Sequence, residues 1–266
     1  MLQRSQGRLK VSFKQRGGAT VLDELHQSGC AKVRLPNIYD GGGPEAVLLN
    51  TAGGLTGGDE FSADVIWQAG TCATVTSQAA ERIYRASGGH AWVSNRLTVA
   101  ANATAYWLPQ ETILFEGGAV QRDAEIDLAD NAQFFGIESW MIGRHAMGEV
   151  VRSAMVRDQL SIRRHGKLIF TDRLHLAGDI EAHLQRPAIA GGQRCFALLV
   201  AVVQAPELAL ERLRQLMPCS LVNGVVVARL LAASAGNLRD RLAAAINQLN
   251  AIESHHQLRV PRVWSC

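Results

Sequence analysis

The chain has 266 residues, of which 47% are apolar and 19% charged, and its formal net charge is +3. That length can bury a sizeable core, and the spread of aliphatic residues along it excludes a disordered polymer. Acidic and basic residues interleave without the positive stripe of a nucleic-acid binder, and no apolar run reaches the roughly 20 residues of a membrane helix. One domain in the cytoplasm is expected, with neither nucleic acid nor membrane as a partner, β-rich over 1–190 and α/β over 191–266. The five cysteines, Cys30, Cys72, Cys195, Cys219 and Cys266, are scattered and form no CxxC pair. They predict reduced, mostly buried thiols and no zinc knuckle.

From about residue 7 to 183 the sequence consists of short stretches of alternating polarity, punctuated by Gly, Asn and Asp clusters, which predicts many β-strands. In 93–115, Leu97 and Val99 share a face, an Ala-Asn-Ala turn follows, and a second apolar stretch stops at Pro109. In 117–143, Ala124, Ile126 and Leu128 point one way while Asp123, Glu125 and Asp127 point the other. Strand follows strand with little room for crossover helices, so stacked, largely antiparallel sheets of β-helix-like character are expected. The last third reads strand, helix, strand, helix. Pro206 suits the first turn of a helix that carries Ala209, Leu213 and Leu216 on one face. After the strand-like LVNGVVVARLL, Asn237 is positioned to cap a second helix with Leu238, Leu242, Leu249 and Ile252 on its apolar side. No internal repeat is visible.

GGLTGGDEF, residues 53–61, admits three readings. A phosphate-cradling loop would use glycines to bring backbone N–H groups near an anion, but the string lacks the GK[ST] ending. Residues 57–61 match the GGDEF signature of diguanylate cyclases, which needs helical sequence before it, whereas the upstream fifty residues are β-like. The third reading is structural: paired glycines allow close backbone approach between strands, and Asp59 caps the turn. On residues alone the turn is the strongest of the three.

Strand phase singles out two carboxylates. Glu138 shares its phase with Phe134, Trp140 and Ile142, and Asp172 shares its phase with Leu168, Phe170, Leu174 and Leu176. An inward carboxylate must find a partner, because burying it bare costs several kcal/mol or forces protonation. Buried ion pairs, for instance with Arg144 or Arg173, satisfy that need, as does a bulge that turns the side chain outward. A passage that hands a cation between carboxylates satisfies it too. In GRHAMGE, 143–149, Gly143 and Gly148 imply tight turns around Arg144, His145 and Glu149, a trio suited to a local ion-pair network or to docking. Gln78, Arg82, Tyr84 and Arg85 combine hydrogen-bonding groups with an aromatic ring, as interfaces and ordinary turns both do. Trp107, Leu108, Ile113, Leu114 and Phe115 are too apolar to stay exposed as a large patch and are expected to build core or, second to that, a protein interface. The eight histidines, including adjacent His255 and His256, lack HxH or HxxxH spacing.

VLLNTAGGLTGGD (47–59), TVTSQAAERIYRA (74–86), WLPQETILFEGG (107–118), GRHAMGE and a terminal PRVW occur in order. Together they resemble the urease accessory protein family UreD, also called UreH. The resemblance implies a non-catalytic scaffold that binds UreF-type and UreG-type partners and the urease apoprotein, in a hetero-complex dimerised through UreF. It also implies that Ni²⁺ passes transiently through an internal tunnel, with no tightly bound cofactor, and Glu138 and Asp172 are the candidate residues on that path. GTP hydrolysis would belong to the UreG-type partner, because this chain has no P-loop lysine motif.

Overall fold

The computed structural model describes residues 4–38, 43–144, 147–252 and 258–265. Among these, seventeen strands form two stacked sheets of seven and ten strands, accompanied by three α-helices. In the first sheet β1 (Gln6–Arg16), β5 (Glu60–Trp67), β8 (Ala91–Val99), β11 (Ala119–Leu128) and β13 (Ala154–Arg164) run parallel. Antiparallel β2 (Ala19–Gly29) and β14 (Lys167–Gly178) close its two edges.

The second sheet has a parallel centre of β4 (Glu45–Asn50), β6 (Cys72–Ser77), β9 (Thr104–Leu108) and β12 (Gln133–Ile142). It is flanked by antiparallel β3 (Ala31–Arg34), β15 (Cys195–Val202), β17 (Val225–Ala232) and β16 (Cys219–Val222). Short β7 (Glu81–Ile83) and β10 (Thr112–Leu114) pair in parallel beside β12.

The mainly β, β-helix-like architecture is therefore as expected, but the sheets are parallel at their centres and antiparallel only at their margins. Alternation along a strand is the same in both arrangements, so it could not separate them. A short connection looks like a hairpin in sequence. Here those after β5, β8 and β11 lead to the opposite sheet, and the chain returns a coil later beside its own earlier strand. Glu60, Trp92, Gln121 and Arg157 stack in register at spacings of 32, 29 and 36 residues. Those unequal spacings hide a structural repeat that the sequence does not display.

The coil corners explain the Asn and Gly punctuation. Gly70, Asn102 and Asn131 occupy equivalent corners with φ of 70°, 56° and 54°, a region that costs most side chains energy but suits Gly and Asn. Corner stacks on corner: Gly70 N donates to Ala101 O and Asn102 N to Asp130 O, both at 3.0 Å.

Between the sheets lie two apolar clusters, one around Phe13, Trp67, Val75, Leu97 and Phe134, the other around Leu55, Ile83, Leu114, Trp140 and Val156. Trp107, Leu108, Leu114 and Phe115 are all buried, and Ile113 is partly so. A third cluster covers the outer face of β15 and β17 under α2 (Pro206–Arg214) and α3 (Ala235–Asn250).

Pro206 opens α2 as expected, and Ala209 and Leu213 are buried, while Leu216 lies past the helix end and is exposed. α3 begins earlier than Asn237: Ser234 is the cap, and its side chain accepts from Asn237 N at 3.2 Å. LVNGVVVARLL is a hairpin of β16 and β17, in which Asn223 and Gly224, both with positive φ, form the two-residue turn that Asn-Gly favours. A short helix, α1 (Ile180–Leu184), was not expected; Asp179 caps it by accepting from Ala182 N. The described cysteines are free thiols, but only Cys195 is buried. Among the described residues no helix is long and apolar enough to cross a membrane.

Candidate functional site

The inter-sheet space is not apolar throughout. Arg122 projects from β11 between the sheets and forms ion pairs with Glu138 on β12 at 2.8 Å and with Asp158 on β13 at 2.5 Å. The three side chains are only 8%, 7% and 14% exposed. The Asp158 contact is a two-pronged fork, because Arg122 Nε also donates to its second oxygen at 2.9 Å. Two tryptophans complete the acceptors: Trp107 Nε1 donates to Glu138 at 2.8 Å and Trp140 Nε1 to Asp158 at 2.8 Å. Arg122 also donates to Thr112 Oγ1 at 3.2 Å, and its guanidinium carbon lies 4.7 Å from the centroid of the Trp140 ring.

Burial opposes the charge on Arg122, but Asp158 and Glu138 outweigh it and hold the guanidinium above its ordinary pKa. Burial pushes the Glu138 carboxyl up; Arg122 pulls it back, and nearby Asp158 adds to the rise. Removing one member of such a buried set strands the others, at a cost of about 3–5 kcal/mol.

Two cavities meet at this network. The first, about 190 Å³, is lined by Asn50, Gln78, Glu81, Trp107 and Arg122 among others. The second, about 310 Å³, is lined by Asp158, Asp172, Leu174, Phe196 and Arg229 among others. Glu138 and Trp140 line both. At the second cavity Asp172, on β14, pairs with Arg229 of β17 and so bridges the two sheets. Burial pushes the Asp172 carboxyl up against the pull of Arg229.

Glu138 and Asp172 thus share a cavity wall, and their partners are Arg122 and Arg229, not Arg144 or Arg173. Arg122 and Asp158 were missed in the sequence although strand phase marks both. Arg122 falls in step with Val120, Ala124 and Ile126, and Asp158 with Val156, Leu160 and Ile162.

The other singled-out residues lie apart from the network. Asp59 is a buried turn residue: its two oxygens accept from Thr56 N and Ser5 N, both at 2.8 Å, tying the 53–58 turn to the segment before β1. Gly57 sits so close to Gly88 O that a Cβ would lie 2.2 Å from it. The GGDEF string therefore enters a parallel strand through a tight turn, and nothing supports the cyclase reading.

Gln78 and Arg82 line the first cavity, whereas Tyr84 packs edge-on against Phe115 at 5.1 Å and donates to Gly53 O at 3.3 Å. Arg85 is exposed beside Gly117, where its side chain covers the turn. Arg144 closes on Glu149 at 2.8 Å and lies over the Phe115 ring at 4.8 Å. His145, His255, His256 and Cys266 lie outside the described residues. Among those described, no group of three His, Cys, Asp or Glu side chains could hold a metal ion.

The fold and site together define a class: stacked, coil-wound β-sheets enclosing a charged interior between two cavities. A family model described as "UreD urease accessory protein" matches residues 5–265. Urease accessory protein UreD of Rhizobium etli is 41% identical over 99% of this chain and 96% of the relative. The Sinorhizobium medicae protein of the same name is 42% identical with the same coverage, and that of Ruegeria pomeroyi is 41% identical over 97% of this chain and 100% of the relative. The chain belongs to the UreD family of urease accessory proteins.

Proposed function

We propose that this chain is a non-catalytic scaffold for urease maturation that conducts Ni²⁺ through its inter-sheet interior towards the urease apoprotein. The observation that carries the reading is the shared cavity wall of Glu138 and Asp172, with Glu138 facing the adjoining cavity as well. Carboxylates suit such a cargo, because Ni²⁺ accepts oxygen donors and a path of few protein ligands releases what it binds. UreF-type and UreG-type proteins are the partners in this reading, in a complex dimerised through UreF. α2 offers part of the partner surface: Leu208 is exposed on it and Leu216 just beyond it.

Co-expression of the chain with the other accessory proteins and urease, followed by pull-down and nickel analysis, tests the reading. Glu138→Gln and Asp172→Asn each lower the nickel content and activity of urease while the complex still assembles. Loss of assembly in both variants assigns the residues to structure, and full activation by the double variant removes them from the path.

A further inference from the structure

The Arg122 network is more than a satisfied core contact, because it stands where two cavities meet. A guanidinium cannot be deprotonated in a protein, so this positive charge leaves its carboxylates only by moving. We propose that Arg122 is a gate: it occupies the position in which Glu138 and Asp158 would together hold a divalent cation, and a cation crosses between the cavities only by displacing it. This deepens the proposed Ni²⁺ passage and rests on that reading.

Three observations support the gate. Glu138 and Asp158 already bind a cation, the guanidinium itself, at 2.8 and 2.5 Å, and an indole N–H donates to each carboxylate. The charges favour exchange, since one guanidinium leaves two carboxylates with a net negative charge that a divalent ion would cancel. The displaced side chain also has somewhere to go. It lines the first cavity and already donates to Thr112, whose neighbour across the strand pair is Glu81, a second carboxylate lining that cavity. Swung towards Glu81, Arg122 keeps an anionic partner while Glu138 and Asp158 are released.

The test uses the full chain and Ni²⁺ alone. Wild type, Arg122→Lys, Arg122→Met and Arg122→Met combined with Glu138→Gln and Asp158→Asn are compared by equilibrium dialysis, with circular dichroism to establish folding. Arg122→Met is expected to take up one Ni²⁺ per chain beyond wild type, and the triple variant to lose it. Arg122→Lys, which cannot fork onto Asp158, is expected to bind that ion at least tenfold more tightly than wild type and less tightly than Arg122→Met. A folded Arg122→Met chain that binds no more than wild type overturns the gate, as does extra binding that survives in the triple variant. Should Arg122→Met not fold, an Arg122→Lys affinity equal to wild type overturns it equally.

Ala80→Trp, which fills the first cavity from its wall, addresses the passage separately in the co-expression assay. Unchanged urease activation with the Arg122 binding order intact refutes the passage and leaves the cation exchange standing. Blocked activation without that binding order refutes the gate and leaves the passage.

Discussion

Truncating Trp264 to alanine tests how the C-terminal segment is held. The side chain is 4% exposed and packs in the outer cluster with Leu238, Leu242 and Leu258. Its indole N–H is shared between Thr76 Oγ1 at 3.2 Å and Leu108 O at 3.3 Å, on two neighbouring strands of the second sheet. The backbone around it is tied as well: Trp264 O accepts from Arg239 at 3.1 Å and Val263 O from Gln110 at 3.2 Å. Removing a buried indole costs about 3–5 kcal/mol, a large part of the roughly 5–15 kcal/mol that holds a typical domain folded. At about 2–4 °C per kcal/mol for a chain of this size class, Tm falls by about 6–20 °C.

Trp264→Phe separates packing from the hydrogen bond. Leu108 O keeps the Thr76 hydroxyl at 2.6 Å, so only about 1 kcal/mol is lost and Tm falls by about 2–4 °C. Differential scanning calorimetry on the full chain measures both. A Trp264→Ala chain that melts within about 2 °C of wild type would refute the packing argument.

Gly57→Ala places a Cβ 2.2 Å from Gly88 O and should cost about 1–3 kcal/mol, whereas Gly88→Ala meets nothing within 4 Å; equal melting temperatures for the two variants contradict the steric account. Burial pushes the Glu81 carboxyl above its ordinary value of 4.5, so the folded chain holds that proton more tightly than the unfolded one. Stability from this group is greatest below 4.5 and declines as pH climbs from there to the higher folded value. Glu81→Gln removes this titration, so the Tm of the variant relative to wild type rises as pH climbs above 4.5, and a constant difference contradicts it. Burial raises the Cys195 thiol to about 11, leaving about one part in a thousand as thiolate near pH 8. Mass spectrometry after alkylation should find Cys195 unmodified in the folded chain and modified after denaturation; rapid native labelling would show that the site opens.

The strands were legible because polarity alternates wherever one face is buried, and the capping role of Asp59 was legible because Gly and Asp have few other uses in a turn. The ordered blocks from residue 47 to 149 carried the family, and the inward phase of Glu138 and Asp172 marked them as carboxylates in need of partners. Local pattern says which way a side chain points, and nothing about what lies opposite. Whether neighbouring strands run parallel depends on where each short connection crosses, so the coil-wound arrangement and its uneven repeat belong to the tertiary structure. Glu138 meets Arg122 and Asp158 only because β11 and β13 of one sheet stack over β12 of the other, and Asp172 meets Arg229 only across the same gap. The sequence by itself determined a β-rich member of this family with carboxylates turned inward. The stacking of the sheets decided their partners and the cavities between them, because both depend on residues far apart in the chain that only the closed coils bring face to face.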